Sequence, residues 1–102
     1  MSRPKIYIAG KVTGLPYDEV KAKFAQAALM LWTMGFEPVN PVELVPSEAG
    51  WNKAMRLCIR ELADCEFIYL LPDWYKSKGA LVERLLALVL KIKRIKIANY
   101  GK

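Results

Sequence analysis

Two short apolar runs constrain this chain more than any other feature. Lys5-Ile6-Tyr7-Ile8-Ala9 ends at Gly10, and Glu66-Phe67-Ile68-Tyr69-Leu70-Leu71 ends at Pro72. Neither run alternates with polar residues in the way a half-exposed strand does. Strands buried on both sides occur chiefly in parallel sheets covered by helices. The intervening segments have helical periodicity. From residue 17 or 18 to 34, Val20, Phe24, Ala27, Ala28, Leu31 and Trp32 recur at that spacing. Asp18 is the expected N-cap of this helix, and Gly35 sits where a C′ glycine would end it. A second helix is expected over residues 51–63, with Met55, Cys58, Ile59 and Leu62 on one face. A third is expected from about 78 to 92, with Leu81, Leu85, Leu88 and Val89 as its apolar stripe.

Phe36-Glu37-Pro38-Val39 reads as a short strand, and its proline assigns it to a sheet edge. Residues 93–98 supply a last strand. The order is β-α-β-α-β-α-β, with no internal repeat and no linker, so residues 1–102 form one domain. Right-handed crossovers and an edge position for Pro38 give a four-stranded parallel sheet in the order 2-1-3-4. This is an α/β three-layer sandwich of the flavodoxin-like kind. Ligands of such sheets lie beyond the carboxyl ends of the strands, where the strand order reverses. That rule selects three loops: residues 10–17, 40–50 and 72–79.

Composition narrows the chemistry. The 102 residues are 54% hydrophobic, too apolar for a disordered tail, and contain no histidine. Histidine-based triads and histidine-containing zinc sites are therefore excluded, leaving carboxylates, Lys, Tyr, Ser or Cys. Cys58 and Cys65 are too few for a metal site and are not spaced as a redox CxxC pair. Neither a metal nor an organic cofactor is expected. The N-terminus has no signal-peptide h-region, and the nearly uncharged stretch 25–36 is too short to span a bilayer, so a cytoplasmic protein is expected. The net charge of +6 is concentrated in Lys91-Ile92-Lys93-Arg94-Ile95-Lys96 and Lys102. That run is compatible with a solvated face complementing a helix end, with attraction for phosphate, or with nucleic acid. No aromatic residues are interleaved with it, which disfavours a base-stacking surface.

Gly10-Lys11-Val12-Thr13-Gly14 is neither a Walker A loop nor GxGxxG. It reads as an ordinary tight turn or as a backbone that approaches a phosphate or sugar. In the third loop Ser77 is placed to cap the following helix, Gly79 permits close approach, and Glu83 lies roughly one turn inside. A carboxylate near a helix N-terminus is expected to be held ionised. An ionised carboxylate at a pocket floor suits glycosyl transfer, whose transition state is oxocarbenium-like. Asp73 is the candidate second carboxylate, as acid or orienter. The plainer reading makes Glu83 a helix-dipole partner and Asp73 a loop cap.

Tyr7-Ile8-Ala9-Gly10, Asn40-Pro41 and the stretch from Tyr69-Leu70-Leu71-Pro72 through Ser77-Lys78-Gly79 to Glu83 carry a family resemblance. The chain resembles a small phage and prophage domain family of unassigned function, whose members read roughly YIAGPMTG…NP…W…CDAIYLLPGWEKSKGAxxE. That group looks like a compact branch of the nucleoside 2-deoxyribosyltransferase superfamily, which also includes deoxynucleoside 5′-monophosphate N-glycosidases. The resemblance implies that Tyr7 lines the pocket and Gly10 opens the first ligand loop. It places Ser77 at the nucleotide phosphate and makes Glu83 the nucleophile at C1′. Lys11, Asn40 and Gly79 join the substrate-binding candidates. Cys58 stands where the superfamily has a helix aspartate, Lys11 replaces the proline of YIAGP, and Asp73 replaces the glycine of PGW.

Three functions follow. The first is an N-glycosidase or deoxyribosyltransferase acting on a nucleoside or nucleotide through Glu83. The second is an inactive nucleotide-binding module of the same fold. The third is a phage-encoded interaction protein anchored by an exposed Trp74-Tyr75 loop. The small sheet and long apolar first helix leave apolar surface to cover, and the resemblance implies dimers or larger, so a homodimer is expected.

Overall fold

The computed structural model describes residues 3–97. Its sheet has strands β1 (Lys5–Ala9), β2 (Glu37–Val39), β3 (Phe67–Leu70) and β4 (Lys93–Ile95), all parallel and ordered β2-β1-β3-β4. The connecting helices are α1 (Tyr17–Thr33), α2 (Pro41–Leu44), α3 (Trp51–Ala63) and α4 (Lys78–Val89), with a 3-10 turn at Trp74–Lys76. The arrangement is that of a flavodoxin-like fold. Tyr7 pairs with Val39 on one side and with Ile68 on the other, which puts the two apolar runs at the centre of the sheet.

Alternation along the central strands divides the core in two. Ile6 and Ile8 of β1, with Tyr69 and the following Leu71, face α1 and pack on Val20, Phe24, Ala27 and Leu31. Tyr7 and Ala9, with Ile68 and Leu70, face α3 and α4 and meet Leu62, Ala80 and Ala87. Right-handed crossovers in opposite directions from the switch point put α1 on one face and α3 with α4 on the other.

Several local expectations are corrected. Asp18 does not cap α1. Pro16 is the N-cap residue, and no side chain bonds there, because the chain enters the helix two residues earlier. The loop expected over residues 40–50 contains α2, nucleated by Asn40, whose Oδ1 accepts the Val42 N–H at 3.0 Å. The apolar stripe of α4 points outward. Leu81, Leu85, Leu88 and Val89 are exposed, and the face on the sheet is Ala80, Glu83 and Ala87. Small residues let α4 lie close to the sheet, and periodicity alone could not distinguish that side from the leucine side. α4 ends at Val89 rather than near Ile92. Lys91 adopts φ +61°, and Ile92 N–H returns to the Ala87 carbonyl at 2.8 Å. α1 closes in the same way, with Gly35 at φ +100° and Phe36 N–H on the Leu31 carbonyl at 3.1 Å. The expected strand over 93–98 is shorter, spanning Lys93–Ile95, with Lys96 and Ile97 outside it. Ala98 and Lys102 lie outside the described residues.

Candidate functional site

A cavity of about 750 Å³ opens at the carboxyl end of β1, at the switch point of the sheet. Residues of all three selected loops contribute to its wall, together with one side of α3 and the first turns of α4. At its floor the Tyr7 hydroxyl donates to Glu83 Oε2 at 2.7 Å. Tyr7 arrives from the middle of β1 because its side chain alternates onto the α3–α4 face. Glu83 arrives from α4 because it occupies the sheet-facing stripe between Ala80 and Ala87. Glu83 is 5% exposed.

Burial sets the electrostatics. It pushes the Glu83 carboxyl up to about 7, against the opposing effect of the Tyr7 hydrogen bond. The sequence expectation of a carboxylate held ionised by the helix N-terminus is thus reversed, because loss of solvent outweighs the local donors. Tyr7 moves well above its ordinary range, through burial first and then the Glu83 charge, so it stays a neutral donor. The Cys58 thiol, on the cavity wall and electrically coupled to both, is pushed by burial up to about 11. It is a protonated thiol at neutral pH.

The rim is basic. Lys11, Lys76 and Lys78 line the cavity, and Glu83 is the one carboxylate among its lining residues. Ser77 caps α4, its Oγ accepting the Ala80 N–H at 3.1 Å, so the positive end of that helix faces the same space. Tyr17 and Trp51, both half-exposed, stand on the wall. Gly10 and Gly79 line the cavity too, but each has a packing role. A Cβ at Gly10 would lie 2.5 Å from Leu71 Cδ1, and one at Gly79 would lie 3.1 Å from Met55 Sδ.

The fold therefore brings Tyr7, Gly10, Lys11, Ser77, Gly79 and Glu83 to one space. It does not bring Asp73 or Asn40 there. Asp73 Oδ2 pairs with Lys23 Nζ at 2.5 Å, and its Oδ1 accepts the Lys11 N–H at 3.1 Å. Lys23 Nζ also donates to the Lys11 carbonyl at 2.9 Å. Asp73 thus ties the first loop to α1. Asn40 is buried as the cap of α2. Trp74 is not an exposed anchor either. It packs against the α3–α4 core under the Arg94 guanidinium, 5.5 Å from Cζ to ring centroid, and only its neighbour Tyr75 is exposed.

Sequence reasoning passed over Tyr17, Trp51, Lys76 and Lys78. Tyr17, Lys76 and Lys78 lie within the selected loops and Trp51 immediately follows one, so taking every polar or aromatic residue of each loop and its next neighbour would have found them. Lys23 gave no signal, since nothing local marks one lysine of a helix as facing Asp73.

Residues 4–96 match the family described as Domain of unknown function (DUF4406). The chain belongs to that family. No curated protein matches it. The family description names no activity, so the chemistry of a DUF4406 chain has to be argued from the cavity. No helix among the described residues is long and apolar enough to cross a membrane.

Proposed function

We propose that this chain is a nucleoside or nucleotide N-glycosidase of the deoxyribosyltransferase type, with Glu83 as nucleophile. The observation that carries the reading is the Tyr7–Glu83 pair, 2.7 Å apart on the floor of a switch-point cavity with a basic rim. A 5′-phosphate is taken at the rim by Lys11, Lys78 and the free N–H groups at the start of α4. The base lies against the Trp51 side of the cavity, where the half-exposed ring, 5.1 Å from the Lys78 ammonium, forms part of the wall. These contacts place C1′ over the Glu83 carboxylate.

Glu83 attacks C1′, and the C1′–N bond breaks with its electron pair on the base, which takes a proton from solvent. Tyr7 holds the carboxylate in line throughout. Water then adds to C1′ and gives up a proton to solvent, the C1′–O bond to Glu83 breaks, and deoxyribose, or its 5-phosphate from a nucleotide, leaves with the carboxylate restored. If a second base attacks in place of water, the sugar is transferred. A homodimer belongs to the same reading. The exposed Leu81, Leu85 and Val89 of α4 support it as an apolar stripe that a second copy would cover. Light scattering at micromolar concentration decides it, and a monomer would remove the claim.

The binding-module reading keeps one observation in its favour. Glu83 has no second carboxylate beside it, because Cys58 lines the cavity and Asp73 is held by Lys23. Deoxynucleosides and their 5′-monophosphates, incubated with the wild type and with Glu83→Ala and followed by chromatography and thermal shift, separate the two. Base released by the wild type alone supports the glycosidase. Stabilisation of both proteins with no base released supports the binding module.

A further inference from the structure

The basic run of the sequence is not used by the cavity. Lys91, Lys93 and Arg94 follow α4 and enter β4, and the fold adds Arg84 from α4 itself. These four cations line a shallow depression of about 270 Å³, with Ala87, Leu88 and Ile92 as its apolar base. It lies at the C-terminal end of α4, whereas the large cavity is built on the N-terminal end. No carboxylate lines it. The one salt bridge among the described residues is Lys23–Asp73, so the four cations have no internal counter-ion.

Two observations separate this cluster from an ordinary solvated face. Among the described residues, Arg94 Nε is buried with no hydrogen-bond partner. The Arg94 guanidinium is also near enough to Arg84 to feel its charge, which adds to partial burial in lowering the Arg94 pKa. Like charges held together with a buried donor unsatisfied cost free energy that an anion between them would recover. Arg94 Cζ lies over the Trp74 ring, 5.5 Å from its centroid, a contact that supplies no oxygen acceptor for the guanidinium N–H groups. What the cluster lacks is an acceptor with several oxygens and more than one negative charge. Guanidinium forks match phosphoryl oxygens in both charge and geometry.

We infer that Arg84 and Arg94, assisted by Lys91, form a binding site for a phosphoryl oxyanion, separate from the large cavity. The occupant is small. The depression has room for an ion or a terminal phosphate, and no exposed aromatic lines it to stack a base. The same chemistry is offered by inorganic phosphate and by the phosphate of a small monoester.

Titration with inorganic phosphate and, separately, with methyl phosphate tests the site, with ionic strength held constant by sodium chloride and melting temperature as the readout. Wild type is expected to gain a few degrees over the chloride control. Arg84→Gln and Arg94→Gln are each expected to weaken the apparent affinity about tenfold or more. Arg94→Lys keeps the charge but loses the fork, and should fall between them and wild type. Lys21→Gln, exposed on α1 and lining neither the cavity nor the depression, removes one positive charge and should leave the affinity within about twofold. Tighter binding of methyl phosphate identifies a monoester as the occupant, and tighter binding of inorganic phosphate identifies the free ion. The inference is overturned if chloride gives the same shift. It is also overturned if the arginine variants bind phosphate like wild type, or if only a single-stranded oligonucleotide depends on the two arginines. Turnover of nucleotides plays no part in this readout, so failure here leaves the reading of Glu83 untouched.

Discussion

On the α1 side of the sheet, Ile6, Ile8 and Leu71 meet Val20, Phe24, Ala27 and Leu31, all buried and all apolar. On the α3–α4 side the same strands present Tyr7 to a buried glutamate and a half-buried thiol, beneath an open cavity. One face is closed by buried apolar side chains, and the other holds an ionisable group where ionisation is disfavoured. The contrast places the source of stability and the candidate chemistry on opposite sides of a single layer of strands. Stability gained from α1 offsets the cost of keeping Glu83 out of water, the usual relation between a scaffold and a strained site.

The largest expected effect lies on the closed face. Leu31→Ala should lower unfolding free energy by about 2–5 kcal/mol in urea denaturation, while nucleotide-induced stabilisation, corrected for the lower baseline, is retained. Loss of ligand response at a position so far from the cavity wall would show that the two faces are not separable. Gly10→Ala probes the seam between them. The added methyl meets Leu71, so a cost of about 1–3 kcal/mol is expected, again by urea denaturation.

Glu83→Gln should change stability in the opposite direction. The Glu83 pKa is raised in the folded chain, from its ordinary 4.5 to about 7. Over that interval the folded state holds a proton that the unfolded state releases. Its contribution is therefore complete below about 4.5 and is lost as the pH rises through about 7. Gln keeps the hydrogen bond from Tyr7 without a charge. The variant should be more stable than wild type by roughly 1–3 kcal/mol at pH 8 and nearly equal to it at pH 4, measured by denaturation at both pH values. Equal stability at pH 8 would mean that the carboxylate is well solvated. The smallest effect is expected outside both faces. Lys91→Gly relieves a left-handed residue at the end of α4 and should stabilise by about 1 kcal/mol, read as a rise in melting temperature.

The sheet was legible because Lys5–Ala9 and the run beginning at Glu66 admit almost no other reading, and Pro38 forced its strand to the edge. The cavity was legible through topology, since the switch-point rule chose the loops before any motif was considered. The orientation of α4 was not legible. Its leucine face and its alanine face have the same period, and the sheet selects the smaller side. Nor was the engagement of Asp73, because its partners Lys23 and Lys11 are distant in sequence and meet it only through the fold. The ionisation of Glu83 was read with the wrong sign. A helix N-terminus is visible in a sequence, whereas the depth at which a side chain is buried is not.

The measurement that bears most directly on the account is base release from deoxynucleoside 5′-monophosphates across pH 5–9, with wild type and Glu83→Gln compared by chromatography. The account predicts release by wild type that rises with pH and levels off above about 7, as Glu83 ionises, and a loss on the order of 10³-fold or more in the variant. Equal release by both proteins, or none by wild type at any pH, would contradict it.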